Sequence, residues 1–164
     1  MIKSSFEEAF SKEWVQTQIT NCTNELVILR QVIPWQDIIS QLTQFYDNNG
    51  GRLGKSLRVM VALLILSRLR SLSDDQVVEQ VKENRYMQYF CNVPDTDLAT
   101  FVNPSVLCRF RQRLGKKGTA IIETEVFELL RRSGTIKKHL DDGFHGIVQQ
   151  HYLSHRCHVN PQSL

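Results

Sequence analysis

Apolar residues recur at helical spacing along nearly the whole chain up to about Arg132. Pro34 stands at the start of a helix expected over residues 34–46, whose apolar side comprises Ile38, Ile39, Leu42 and Phe45. Ser56 can cap the next helix, and its segment VMVALLILSRL is apolar on nearly every side. A helix that is apolar all round is typical of the buried centre of a bundle.

Capping and turn residues place the later helices. The pattern Ser73-x-x-Gln76 predicts a helix start, and apolar positions continue from there to about Cys91. Residues 92–103 are expected to form a loop, because they contain Pro94 and end in Asn103-Pro104. A short helix is then predicted over 104–114, with glycines at 115 and 118 separating it from a last helix over about 119–132.

These elements predict an all-α fold, a compact helical bundle of about six helices. The helix that ends near Phe90 and the one that begins at Ser105 would form a loose helix-turn-helix-like pair, although their connector is longer than is usual for that motif. All five histidines follow Lys138, and periodicity is lost there. We therefore expect a helical domain over 1–138 and a weakly ordered tail over 139–164.

Composition limits the classes of function. The four cysteines show no C-x-x-C pair, so neither a structural zinc site nor a disulfide framework is expected, and no metal or cofactor is predicted. Acidic residues occupy the N-terminus where a signal peptide would be apolar. The longest apolar run, 59–66, falls far short of the ~20 residues that cross a bilayer. The expected setting is the cytoplasm, without a membrane partner.

Positive charge is concentrated in two segments, although the net charge is only +3. Neither segment contains an acidic residue, and their cations are Arg52, Lys55, Arg58, Arg68 and Arg70 in the first, and Arg109, Arg111, Arg113, Lys116 and Lys117 in the second. Blocks of one sign indicate a positive surface, which suits a polyanion. Solvated helix faces are the alternative interpretation.

The predicted DNA-binding residues lie in these two segments, except for Ser105, which lies just before the second. Arg109, Gln112 and Arg113 share one helical face, and arginine and glutamine are the side chains that recognise guanine and adenine in a major groove. Ser105 begins the same helix, and Arg111 points to another side, towards a phosphate or an acid. In the first segment Arg52, Lys55 and Arg58 would contact phosphates from a basic loop. A solvated basic helix without a ligand remains the other interpretation.

Three segments resemble the N-terminal domain of DDE-type insertion-sequence transposases of the InsH kind. They are Pro34-Trp35-Gln36-Asp37-Ile38 up to Phe45-Tyr46, Gly51-Arg52 with the apolar helix and Leu72-Ser73-Asp74, and Ser105-x-x-x-Arg109-Phe110-Arg111 with Leu114. The similarity covers about 32–132. The family's Asp-x-Thr/Ser-Thr-Leu segment is replaced here by 101–107, which changes the expected cap to Asn103 or Ser105.

The resemblance implies binding of double-stranded DNA at terminal inverted repeats, as a homodimer or a mixed dimer with full-length transposase. In the family, three carboxylates of a later RNase H-like domain cut DNA, and the first lies in an Asp-Ser-Thr motif that is absent here. We therefore expect a truncated transposase fragment with no catalytic residue, one that is not an enzyme. The rival interpretation is a helical dimerisation or protein-interaction module without DNA affinity.

The tail carries a separate hypothesis about the gene. Codons for 141–164 can be chosen so that the frame one base later encodes a segment with Asp-Ser-Thr that resembles the family's first catalytic segment. We hypothesise that the residues after about Lys138 are an out-of-frame readthrough. The genomic DNA tests this, since the hypothesis requires Asp-Ser-Thr in the next frame.

Overall fold

The computed structural model describes residues 9–46, 55–127 and 129. Seven α-helices lie in this part of the chain: α1 Lys12–Gln18, α2 Glu25–Val32, α3 Trp35–Leu42, α4 Leu57–Leu69, α5 Asp74–Glu83, α6 Arg85–Cys91 and α7 Pro104–Ile122. Two 3-10 helices, Thr43–Phe45 and Asp95–Thr100, and a π-helical turn, Glu123–Phe127, accompany them, and the described residues contain no strand. The predicted all-α fold is confirmed, with seven helices where about six were expected.

Helix α4 is the centre of the bundle. Its residues from Met60 to Leu66 are all buried, on every side of the helix. The helices α3, α5, α6 and α7 pack around it, which explains why its sequence can be apolar throughout. Each fully buried leucine or isoleucine contributes about 1.5–3 kcal/mol relative to exposure. The prediction of a buried central helix is confirmed.

Local capping signals define two helix starts as expected. The Ser73 hydroxyl accepts from the Gln76 backbone N–H at 3.2 Å, and the Gln76 side chain accepts from the Ser73 backbone N–H at 2.9 Å. Asn103 caps α7 by accepting from the Ser105 N–H at 2.9 Å, with Pro104 in the first turn. A side-chain cap satisfies a backbone donor that the helix itself leaves unpaired. The capping-box prediction and the Asn103 alternative are confirmed, whereas Ser56 makes no capping hydrogen bond from its side chain.

The single helix expected from Ser73 to Cys91 is in fact two. Asn84 has an extended backbone (φ −111°, ψ 112°), and its side chain accepts from the Tyr86 and Met87 N–H groups at 2.9 and 3.1 Å. The same residue thus ends α5 and caps α6. Apolar periodicity could not show this break, because Val81 and Met87 are buried on either side of it.

The connector 92–103 contains the 3-10 helix Asp95–Thr100 rather than loop alone. It begins at Asn92, whose left-handed backbone (φ 61°) ends α6. Helices α6 and α7 both pack on α4 and α5. The two members of the expected helix pair are therefore held by shared neighbours.

The cysteines differ from one another in their surroundings. Cys22 is an exposed free thiol, and Cys91 is a buried one whose pKa is raised by burial to about 12. Cys108 is disulfide-bonded, although the sequence predicted no disulfide framework. Within the described residues, no helix is long and apolar enough to cross a membrane.

The chain divides into two units, and the helices listed above lie in the first, Met1–Val126. The second, Phe127–Leu164, is almost wholly outside the described residues. The predicted boundary at 138, the tail 139–164 and Arg52 also lie outside them. Those predictions remain predictions.

Candidate functional site

Helix α7 has one buried side and one exposed side. Leu107, Phe110 and Leu114 are buried, and the helix packs against α3, α4 and α5. The exposed residues on the opposite side are Ser105, Arg109, Gln112 and Arg113. Helical spacing predicted this division, and we call these four residues the outer face of α7.

Arg109 and Ser105 interact along the outer face. The Arg109 Nε donates to the Ser105 carbonyl oxygen at 3.3 Å, and its Nη2 donates to the Ser105 hydroxyl at 3.4 Å. Both bonds are long and exposed, so they restrain the guanidinium only weakly. Arg109 therefore keeps donors that can turn to a ligand.

Arg113 lies against Tyr46, the residue that ends the first 3-10 helix. The guanidinium carbon is 4.8 Å from the centroid of the Tyr46 ring, within the range of a cation–π contact. Burial raises the pKa of the Tyr46 phenol, while the positive charge of Arg113 and a hydrogen bond from it act in the opposite direction. The sequence analysis named Tyr46 only as part of the family resemblance and not as a site residue, and nothing in the spacing of the chain indicates this contact.

Arg111 binds an acid inside the bundle. Its Nη1 donates to the Asp74 Oδ1 at 2.6 Å, and its Nη2 donates to the second carboxylate oxygen. Both side chains are largely buried, at 24% and 16% exposure. This two-pronged ion pair joins α7 to the first turn of α5. Of the two ligands expected for Arg111, a phosphate or an acid, the structure supplies the acid.

Arg58 belongs to the core rather than to a basic loop. It is 6% exposed, its guanidinium carbon lies 3.1 Å from the centroid of the Trp35 ring, and its Nη2 donates to the Phe90 carbonyl oxygen at 2.7 Å. A buried guanidinium is not accessible to a DNA phosphate, which corrects the expected phosphate contact of Arg58. Lys55, by contrast, is exposed.

Several exposed cations elsewhere in the described chain pair with carboxylates. Arg70 pairs with Glu25 at 2.9 Å, Lys82 pairs with Glu79 at 2.7 Å, and Arg85 pairs with Asp95. Along α7 the situation differs: within the described residues no salt bridge involves Arg109, Arg113, Lys116 or Lys117. The helix itself contains no acidic residue. Four exposed cations without a carboxylate partner in the described residues therefore lie along one helix.

A bend at Gly115 divides α7. This residue has φ 56° and ψ −162°, outside the helical region, between the segment that carries the outer face and the segment that begins at Lys116. Lys116 and Lys117 are exposed. Gly118 lies against the core side of the helix, where an added Cβ would be 2.8 Å from the Cβ of Leu114. Of the two glycines predicted to interrupt the helix, Gly115 forms the bend and Gly118 allows close packing against Leu114.

Metal-binding side chains do not converge in the described part of the chain. No group of three or more histidine, cysteine, aspartate or glutamate residues there is placed to hold a metal ion. The five histidines lie outside it.

Comparison with known proteins adds two similarities. The family model described as "Transposase domain (DUF772)" matches residues 14–113. A protein of Rhizobium meliloti, described as "Uncharacterized protein ORF8 in nfe locus", is 32% identical over 119 residues, which are 73% of this chain and 57% of that protein. The chain thus spans little more than half the length of this relative. No solved structure matches.

Proposed function

The chain belongs to the transposase domain family, and on this premise we propose that its helices bind double-stranded DNA at the terminal inverted repeats of a mobile element. The observation that carries the proposal is the set of exposed cations along α7 without a carboxylate partner in the described residues. Paired cations contribute little to the field felt by a polyanion, whereas unpaired ones on a rigid helix attract it.

The outer face of α7 has the chemistry needed to recognise bases. The segment from Pro104 to Leu114 is long enough to lie in a major groove, which admits one α-helix. Arg109 and Arg113 can each donate two parallel bonds to guanine, and Gln112 can donate and accept at adenine. Ser105, at the first turn, is in place for a phosphate or a base.

Other exposed cations would bind the DNA backbone without regard to sequence. Lys116 and Lys117 follow the bend in α7, and Lys55 stands before α4. Each phosphate neutralised by such a side chain makes binding more sensitive to salt, by a slope of about 0.9 in log K against log salt concentration. In this proposal the outer face of α7 recognises bases, and the lysines bind phosphates.

The proposal assigns binding, not strand cleavage, to these helices. In DDE-type transposases, which the sequence resembles, metal-binding carboxylates of a separate domain cut the DNA. A domain that binds the repeats without cutting would compete with an intact transposase for the same ends. It could also pair with that transposase in a mixed dimer.

A selection followed by a salt series tests the proposal. Duplexes are enriched from a random-sequence pool by binding to the whole chain, and affinity for the enriched duplex is compared with that for a scrambled one. Arg109→Ala and Arg113→Ala are each expected to weaken binding to the enriched duplex by about 5- to 150-fold, the value of one good base contact. Lys55→Ala should weaken both duplexes alike.

Arg85→Ala is the matched control. Like the α7 variants, it removes one positive charge. That charge, however, belongs to an exposed arginine of α6 that is already paired with Asp95. Its affinity is expected to equal that of the wild type. No enrichment of any duplex, or equal losses from Arg85→Ala and Arg109→Ala, would refute DNA recognition by α7.

A dimerisation module is the second candidate, and one observation favours it. Ile28 and Val32 are exposed at 43% and 44% on the same side of α2, and they are the large hydrophobic residues in the described chain that reach such exposure. Burial of this pair against a second copy would remove apolar surface from water. Light scattering across a concentration series tests it: the mass should double for the wild type and remain monomeric for Ile28→Glu.

A further inference from the structure

We propose that Tyr46 is a positioning residue that holds the Arg113 guanidinium ready for DNA; the inference rests on the function proposed above. The guanidinium lies over the aromatic ring, 4.8 Å from its centroid. Tyr46 stands far from α7 in the sequence, and neither the charge segments nor the helical periodicity includes it.

The backbone of Tyr46 belongs to an element that packs against α7. The Tyr46 N–H donates to the Thr43 carbonyl oxygen at 3.0 Å, which ends the 3-10 helix that continues α3. Ile38, Ile39 and Leu42 of α3 are buried, and both α3 and the 3-10 helix pack against α7. The surface under the Arg113 guanidinium is therefore part of the folded bundle.

The contact preserves the charge of the arginine. Burial raises the pKa of the Tyr46 phenol, so the ring stays neutral at ordinary pH, against the opposing effect of Arg113. A neutral ring holds the cation without cancelling its charge, whereas Asp74 neutralises Arg111 two residues earlier. Two neighbouring arginines of α7 thus have different roles. Arg111 pairs with Asp74 and stabilises the fold, whereas Arg113 lies over Tyr46 and keeps its charge for an external anion.

Stacking also leaves donors available. A guanidinium over an aromatic ring presents its flat face to the ring. Apart from the hydrogen bond that Arg113 donates to the Tyr46 phenol, its edge N–H groups remain for guanine or phosphate. A side chain already held in place loses less rotamer freedom on binding. The ring therefore increases affinity through Arg113, without itself touching DNA.

A double-mutant cycle tests this mechanism. Affinity for the duplex enriched by selection is measured for the wild type, Tyr46→Leu, Arg113→Ala and the double variant. Because the benefit is the rotamer freedom that Arg113 no longer loses on binding, Tyr46→Leu is expected to weaken binding by about 2- to 13-fold in the wild-type background. In the Arg113→Ala background Tyr46→Leu should have no effect. Tyr46→Phe keeps the ring and removes only the hydrogen bond from Arg113 to the phenol, so it should retain most of the wild-type affinity.

The outcomes separate the two proposals. Equal losses from Tyr46→Leu in both backgrounds would show that Tyr46 acts on DNA or on the fold directly, and would overturn this inference alone. A wild-type chain that enriches no duplex would overturn DNA binding as well. If Tyr46→Leu does not fold, NMR of the wild type decides: the Arg113 Hε proton should be shifted upfield by the ring, and an unshifted proton contradicts the stack.

Discussion

Replacement of Gly115 by alanine should destabilise the domain through backbone strain alone. Gly115 has φ 56° and ψ −162°, a region that is essentially restricted to glycine. A Cβ added there would meet no atom within 4 Å, so packing contributes nothing to the cost. Holding an L-residue in such a conformation costs about 1–3 kcal/mol, which is the loss of unfolding free energy that we expect.

Equilibrium urea unfolding measures this loss, with an unchanged m-value if the folded state is preserved. In a thermal scan, a domain of this size should lose about 2–4 °C in Tm for each kcal/mol. Gly118→Ala is the informative comparison, because its Cβ would lie 2.8 Å from the Leu114 Cβ and its cost, also about 1–3 kcal/mol, arises from overpacking.

A D-alanine at position 115, introduced by semisynthesis, separates strain from crowding. The mirror image of the Gly115 backbone falls near the polyproline II region, so a D-residue adopts the native conformation without strain. We expect the unfolding free energy of the D-alanine protein to equal that of the wild type or to exceed it by about 0.4–1 kcal/mol, because D-alanine reduces the conformational freedom of the unfolded chain. An L-alanine variant as stable as the wild type would show that the bend is not required, and would refute this account of α7.

Three further predictions concern the core. Arg58→Met removes the buried stack and the hydrogen bond described above, and should lower the unfolding free energy by about 1–3 kcal/mol in urea while leaving DNA affinity per folded molecule unchanged. Asp74→Asn should lower the unfolding free energy by about 1–2 kcal/mol, and adding Arg111→Gln to that variant should restore part of the loss. If the losses of the two single variants simply add in the double variant, the two side chains do not form a direct pair. Burial raises the pKa of the Cys91 thiol from its ordinary 9.0 to about 12. Between these two pH values only the unfolded thiol loses its proton. The unfolding free energy should therefore be unaffected by this thiol below pH 9.0 and should fall by up to about 1.4 kcal/mol per pH unit between pH 9.0 and about 12. Urea titrations of Cys91→Ala should lack this slope, and an equal slope would assign the effect to another group.

The surface that we propose binds DNA could be anticipated only in part. Helical spacing placed Ser105, Arg109, Gln112 and Arg113 together, and all four are exposed. It placed Arg111 on another side, towards a phosphate or an acid, but it did not identify the acid, Asp74, which lies 37 residues away in the sequence. Whether an arginine serves a ligand or the fold depends on which acids and rings surround it, and these come from distant parts of the chain.

The helices themselves were determined largely by local sequence. The uniformly apolar segment of α4, the Ser73–Gln76 capping box and the Asn103 cap act within one or two turns, so their effects are present wherever the chain folds. Only the tertiary structure decided the environment of each charge. Arg58 and Lys55 lie close together in one basic segment, yet burial against Trp35 makes the first a core residue, while the second remains exposed. Burial and ion pairing arise from packing between helices, and a linear pattern of charges does not contain that information.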